Sequence, residues 1–343
     1  MSVVIQSILW SAFGAIIYRE GVVHKNVPRL LGRALYWVGV PLQIFFLARN
    51  SSFAQMTWLL PIATVLALLL SLVLATTALY VLTRILIGGD EKEISSLERL
   101  KSSLTKPEST ALSNKDKIFQ TIPFPSDNMQ KSSFVIASIL CNTGFVDLVL
   151  IPPLVDFQYW SWIIVYGVVH NIIGSYGLGV LIADHHSYGG SRRRKTWLKR
   201  IQSVLFLPSL WAFVYGYLSK DLLLPSPVEA IVAKGVLFVV PGAFILIGMQ
   251  LSTLQQWRNL CSGIFPATLK MLIIPGTVGL LLTLLGVTGD ARLVLVLMSG
   301  MPTAFASVII AEEYNLDRQI IASSILLSTL FLPIVILFWL MIF

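Results

Sequence analysis

The sequence predicts an all-α integral membrane protein of ten transmembrane helices, built as a 5+5 inverted repeat. Three observations carry that prediction. The chain is 56% hydrophobic and only 12% charged, against roughly 25% charged residues in a soluble domain. Its apolar residues fall in runs of about 20, the length of a bilayer-crossing helix, without the two-residue alternation of barrel strands. The two halves also carry weakly similar proline-containing segments in the same order.

Ten apolar segments are expected at 3–18, 28–49, 57–87, 132–155, 159–184, 199–218, 227–250, 264–287, 291–313 and 318–342. The first run has no preceding Lys or Arg, and its basic residues follow it. A secretory signal has the opposite order, so the run is taken as span one. Basic residues then set the orientation. They crowd the loops that hold Arg19, Lys25, Arg29 and Arg33, then the 84–131 stretch, then Arg192-Arg193-Arg194-Lys195 with Lys199 and Arg200. The alternate loops are nearly bare of them, which places both termini outside and the protein in a plasma (inner) membrane. The net charge of +8 is thereby explained by topology, with no nucleic-acid partner. The Arg192–Lys195 cluster has two readings, a topology anchor or a lipid-headgroup site.

The organisation expected is spans one to three in 1–87, a cytoplasmic linker in 88–131, and spans four and five in 132–184. A basic cytoplasmic loop at 185–198 follows, and then a second repeat of spans six to ten in 199–343. The linker is charged and rich in Ser, Thr and Pro, with Ile94, Leu97, Leu100 and Leu104 near the spacing of a short interfacial helix. Between the halves, Val38-Gly39-Val40-Pro41 is similar to Val239-Val240-Pro241, and Leu60-Pro61-Ile62 to Ile274-Pro275-Gly276. Five spans per half make the second copy enter from the opposite side, the plan of many alternating-access carriers.

Spans four and nine occupy corresponding positions and are both unsuited to a plain anchor. Span four holds Asn142-Thr143-Gly144-Phe145-Val146-Asp147 and ends in Pro152-Pro153; span nine holds Ser299-Gly300-Met301-Pro302-Thr303. Interrupted helices in matching positions are a sequence pointer to a binding site. Their exposed helix ends favour anions at amino termini and cations at carbonyl ends.

With Asn142-Thr143-Gly144-Phe145, Met301-Pro302-Thr303-Ala304, Ala311-Glu312-Glu313-Tyr314, Pro41 and Pro241, the chain resembles the auxin efflux carrier (PIN-like) family of the bile acid/auxin transporter superfamily. The similarity covers nearly everything except the 88–131 linker. It implies ten spans, with broken helices four and nine crossing at the midplane, and paired protomers. It also implies movement of small organic anions such as indole carboxylates or dicarboxylates. The chain departs from the family pattern at Asp147 and Val149, where a glycine and a proline are expected. The break in span four is then expected to shift towards Pro152-Pro153, or the crossing to be lopsided.

The substrate-binding candidates are Asn142, Thr143, Gly144, Asp147, Pro302, Thr303, Gln43 and Asn171. Asp147 is the sharpest, because an isolated carboxylate at depth costs at least about 2.5 kcal/mol on insertion scales. It has functional readings as a proton relay, a Na⁺ ligand or the counter-ion of a cationic substrate. Its structural readings are an ion pair with Lys234 or Lys270, or a protonated acid in a helix contact. Asn142 can hold a carboxylate or a helix break. Pro302 and Thr303 suit a structural role, while Gln43, His170 and Asn171 could face the same cavity or pack helices together. Glu312 and Glu313 are expected in water.

No cofactor or metal site is expected. Cys141 in a span and Cys261 in a loop make neither a disulfide framework nor a zinc spacing. His185-His186 is too little for a di-iron site in a chain with four histidines. No glycine loop for phosphate is present. The reading is a secondary carrier of a small organic solute, an organic anion or carboxylate exported by alternating access around spans four and nine. A proton- or cation-coupled symporter using Asp147, and a non-transporting sensor or scaffold, stand beside it.

Overall fold

The structure, a computed structural model, describes residues 2–51, 59–87, 125, 127–144, 146–186, 208–253 and 260–343. The interfacial helix expected at 94–104 and the basic cluster 192–195 lie outside the described residues. All regular elements described are helical, and the one β contact is an isolated bridge.

In chain order, α1 is Ser2–Arg19, α2 is Val27–Asn50 and α3 is Leu59–Ile87. Then come α4 (Asn128–Ile139) and the single turn α5 (Asp147–Leu150). Helix α6 runs from Trp160–Val169 through a π-helical stretch, His170–Gly179, into Val180–His186. The second half holds α7 (Pro208–Leu218), α8 (Ser226–Thr253), α9 (Cys261–Leu284), α10 (Gly289–Ser299), α11 (Ala306–Glu313) and α12 (Arg318–Ile342). Among the described residues, six helical stretches are long and apolar enough to cross a membrane: 27–50, 59–84, 157–184, 226–249, 261–284 and 318–342. The protein is an integral membrane protein. The apolar segment 132–155 is divided into two α-helical pieces and a 3₁₀ turn, and 291–313 into two α-helical pieces. Cys261, expected in a loop, instead opens α9.

Local chemistry explains the helix ends and irregularities. Asp127 and Asp317 cap α4 and α12, accepting from the Gln130 N–H and from the Gln319 and Ile320 N–H groups respectively. Buried hydroxyls within the spans bond back one turn, as Ser71 does to the Ala67 carbonyl and Ser138 to the Phe134 carbonyl. Pro41 and Pro275 each follow a π turn, Leu35–Gly39 and Leu269–Ile273. In both, the N–H just before the proline reaches back five residues, to Leu35 or Leu269. That absorbs the carbonyl displaced by the ring. Pro241 lies inside α8, and Pro61 in the first turn of α3, where a missing N–H is harmless. The π turns therefore link Pro41 with Pro275, whereas the order of the prolines had matched Pro41 with Pro241.

The helices sort into two packed groups. One is α1, α2, α7 and α8; the other is α3 to α6 with α9 to α12, and they meet where α6 lies on α2 and α7. A core around Val40, Ile44, Phe244, Ile163 and Val294 crosses that boundary. A second core, around Phe134, Ile139, Ile274 and Ile321, lies within the larger group. Inside the smaller group, α1 and α8 approach through glycine. The Gly14 α-carbon rests on the Ile245 backbone and Gly248 on the Ser11 backbone, and the Ser252 hydroxyl donates to the Ala15 carbonyl. Small residues and hydroxyls are how helices bind one another in lipid.

A Gly248→Val variant should therefore force α1 off α8 and lower stability by at least about 1–3 kcal/mol. Gly32→Ala is the control, since its added carbon meets only the Leu246 side chain at 3.5 Å. Thermal unfolding in detergent reads both; an unchanged midpoint for Gly248→Val would contradict the close α1–α8 contact.

Candidate functional site

Helix α4 stops at Ile139 without a proline. Leu140 turns extended, with φ −84° and ψ 117°, and the following Asn142-Thr143-Gly144 favours turns over helix. Span nine stops at Gly300, and Pro302 keeps it from resuming until α11. The two extended stretches lie antiparallel. The Asn142 N–H donates to the Pro302 carbonyl at 2.8 Å, the Ala304 N–H donates to the Leu140 carbonyl at 3.0 Å, and Cys141 faces Thr303 between them. Each break thus satisfies backbone groups that the other leaves open, as burial requires.

Side chains complete the junction. The Thr303 hydroxyl donates to the Ala137 carbonyl at 2.9 Å, and the Thr303 N–H donates to the Ser328 hydroxyl of α12 at 3.1 Å. Lys270 of α9, fully buried, donates to the Ile139 carbonyl at 2.8 Å. The Cys141 N–H donates to Nε2 of His170 at 3.4 Å, which leaves the ring proton on Nδ1, 3.5 Å from the Thr143 hydroxyl. His170 stacks on Tyr166 with centroids 5.9 Å apart. The Cys141 thiol reaches the Ser299 carbonyl at 3.5 Å.

Of the residues expected at the site, Asn142, Thr143, Gly144, Pro302 and Thr303 lie in the junction itself. Asn171 touches it, donating to the Thr143 carbonyl at 3.4 Å. Gln43 reaches in from the other helix group and donates to the Leu148 carbonyl at 2.7 Å. No hydrogen bond involves the Asn142 side-chain amide among the described residues, although its backbone N–H is bonded to Pro302, and the Gly144 α-carbon faces open space.

Asp147 opens α5 and is 0% exposed, and neither carboxylate oxygen has a hydrogen-bond partner. The ion pair with Lys234 or Lys270, one of the structural readings of this residue, does not form. Lys234 is exposed on α8, and Lys270 is committed to the Ile139 carbonyl. The expected shift of the break towards Pro152-Pro153 is also absent: those prolines form a 3₁₀ turn, Pro152–Leu154, while the chain departs from helix at Leu140. The Val149 side chain lies outside the described residues. Glu312 and Glu313 are exposed, and Glu312 pairs with Arg318 at 3.6 Å on the surface.

Several contributors had no role assigned from sequence. Ser328, the Ser299 carbonyl, Gly167 beside Asp147, and the Lys270–Ile139 contact are all products of packing. Only Lys270 carried a signal, as a cation within an apolar run.

Residues 230–340 match the model of a family described as "Membrane transport protein". That stretch includes Lys270, Pro302 and Thr303 but neither Asn142 nor Asp147. A relative in Methanocaldococcus jannaschii, named an uncharacterized transporter, is 31% identical over 100 residues, covering 29% of this chain and 32% of the relative. An uncharacterized transporter of Methanothermobacter thermautotrophicus is 26% identical over 209 residues, covering 60% and 65%. The chain thus spans less than two thirds of the length of either curated relative. Family and relatives alike point to transport rather than to enzymatic chemistry.

The Cys141–Thr303 pairing is of the non-hydrogen-bonded kind, with Cα atoms about 4.5 Å apart, within the span of a disulfide. Thr303→Cys in a Cys261→Ser background should therefore cross-link to Cys141 on oxidation. With a protease site inserted in 187–207, the cut halves should run as one species without reductant and as two with it. Two species under both conditions would contradict the junction.

Proposed function

We propose that this protein is a secondary carrier, moving a small organic solute by alternating access around the crossing of spans four and nine. The observation that carries the reading is the unpartnered Asn142 amide beside the open space at Gly144, held in a junction of two broken helices. A donor without a protein partner at such a point suits a ligand that comes and goes. The transport names of the relatives support it. A ten-span, five-plus-five inverted repeat belongs to the same reading, with α4–α5 and α10–α11 as its corresponding interrupted spans and both termini outside.

An organic anion is the solute class this reading favours. Amide and threonine donors suit a carboxylate, Lys270 supplies positive charge at the junction, and the sequence resembles carriers of such anions. The membrane potential alone could drive export of an anion, at roughly 2.3 kcal/mol per charge for 100 mV.

Purified protein in liposomes should accelerate flux of at least one member of a panel of indole carboxylates and dicarboxylates. Asn142→Ala should lower that flux at least about tenfold, since a hydrogen bond to a charged group contributes about 1.5–3 kcal/mol. Gly144→Leu should fill the open space and abolish flux while leaving the melting temperature unchanged. Saturable binding with no flux across the whole panel would favour a sensor and overturn the carrier reading.

A further inference from the structure

Asp147 stands apart from every other charged group at the junction. Its carboxyl is fully buried, and both oxygens lack a hydrogen-bond partner. The contacts around it are few and identifiable. The α6 backbone comes close at Gly167, where an added Cβ would sit 3.6 Å from Asp147 Oδ2 and 3.0 Å from the Thr143 carbonyl. The titratable groups that face it are the Cys141 thiol on its own stretch and, from α6, Tyr166 with His170 stacked behind. The Pro152–Leu154 turn contributes no titratable group. From α2 the approaching group is the neutral amide of Gln43, bound to Leu148. No cation lies within ion-pair distance among the described residues, and Lys270 points to Ile139.

A bare carboxylate in such a place is among the most costly arrangements a membrane protein can hold. A metal cation could neutralise it, but a hard cation takes about six oxygen ligands. Here the other oxygen shown beside Gly167 is the Thr143 carbonyl, which already accepts from Asn171. A hydrated cation or a cationic solute would need room that a side chain at 0% exposure does not have. A proton needs none.

We propose that Asp147 is a proton-carrying site: the closed junction holds it as the neutral acid, and opening of the junction releases the proton to water. In that step the carboxyl O–H bond breaks, its electron pair stays on the carboxylate oxygen, and a water molecule takes the proton as hydronium. The position gives the exchange a consequence. Asp147 immediately precedes Leu148, whose carbonyl is tied to Gln43 of the smaller helix group. Charging Asp147 therefore favours exposure of the turn that joins the two groups. Coupling of this step to solute movement rests on the carrier reading; the proton site itself does not.

Infrared spectroscopy of the protein in lipid, with isotope-labelled aspartate to mark the bands, reads the site without a solute. A protonated-carboxyl band should be present at neutral pH, shift with the label and vanish in Asp147→Asn. In thermal unfolding, a proton held in the folded state and lost from the unfolded chain makes stability fall as pH rises. The wild-type midpoint should fall by several degrees as pH rises from about 4, the ordinary aspartate value, and level off once the folded carboxyl ionises, while that of Asp147→Asn stays level. If Asp147→Asn does not fold, Asp147→Glu keeps the acid and should move the band. An infrared spectrum with no labelled acid band would overturn the proposal. So would a wild-type midpoint that rises with NaCl over choline chloride at fixed pH, which would assign the site to a metal cation. A band without flux in liposomes would instead remove the carrier reading and leave the proton site standing.

Discussion

The junction in the larger helix group depends on one requirement, that buried backbone N–H and C=O groups find partners. Two helices are broken there, and each unsatisfied group in hydrocarbon would cost several kcal/mol. The breaks answer each other through the Asn142–Pro302 and Ala304–Leu140 bonds. Neither broken span could be stable alone. The surrounding side chains follow from the same need: Thr303, Ser328, His170 and Lys270 each serve a backbone group freed by the interruption. The polar residues of these spans are therefore committed mainly to backbone. That makes the uncommitted ones stand out: the Asn142 side-chain amide, the Asp147 carboxyl and the Ser307 hydroxyl.

The two helix groups are held internally by a different device from the one that joins them. Within each, glycine brings backbones into direct contact: Gly14 and Gly248 between α1 and α8, and Gly263 against the Ser323–Ser324 backbone between α9 and α12. Such contacts have no slack, because a close-packed interface changes in discrete steps. Across the boundary, the packing is of apolar side chains with the Gln43–Leu148 hydrogen bond among them. Side-chain packing of that kind can be exchanged for another register more readily than backbone contact can. Two stiff bodies with a softer seam, and a broken helix tied across the seam, form an arrangement suited to two states.

The helices were legible in the sequence because lipid demands long apolar runs, and α3, α8 and α12 follow from that demand directly. The interruptions were legible too, from Asn142, Gly144 and Pro302. The place of the first break was not. Pro152-Pro153 drew attention as the strong helix breaker, yet the chain leaves helix at Leu140, where the partner stretch offers hydrogen bonds that local propensity cannot foresee. Sequence left the ion pair of Asp147 open for a related reason. Charge in an apolar run is visible from sequence, but its partner is chosen by helix rotation and by nearby carbonyls. Ser328 was invisible because a serine in an apolar helix usually bonds within its own turn, and this one does so while also accepting from Thr303.

Lys270 and Asp147 show why the interruption does more than make room. A lysine and an aspartic acid, both fully buried in the same helix group, could have paired, and a pair would have fixed the junction in one geometry. Instead Lys270 meets the carbonyl end of α4, and Asp147 stands at the first residue of the turn that resumes the span. The lysine lies at a helix end whose partial charge has the opposite sign, and Asp147, held as the neutral acid, needs no such partner. The break creates that carbonyl end, so it supplies the electrostatic setting for the lysine as well as the interruption itself. An uninterrupted span four would have hidden its carbonyls in its own ladder and left Lys270 with nothing to donate to. The interruption is thus a condition for burying the lysine, and the unpartnered carboxyl is the residue that gives the junction something to change.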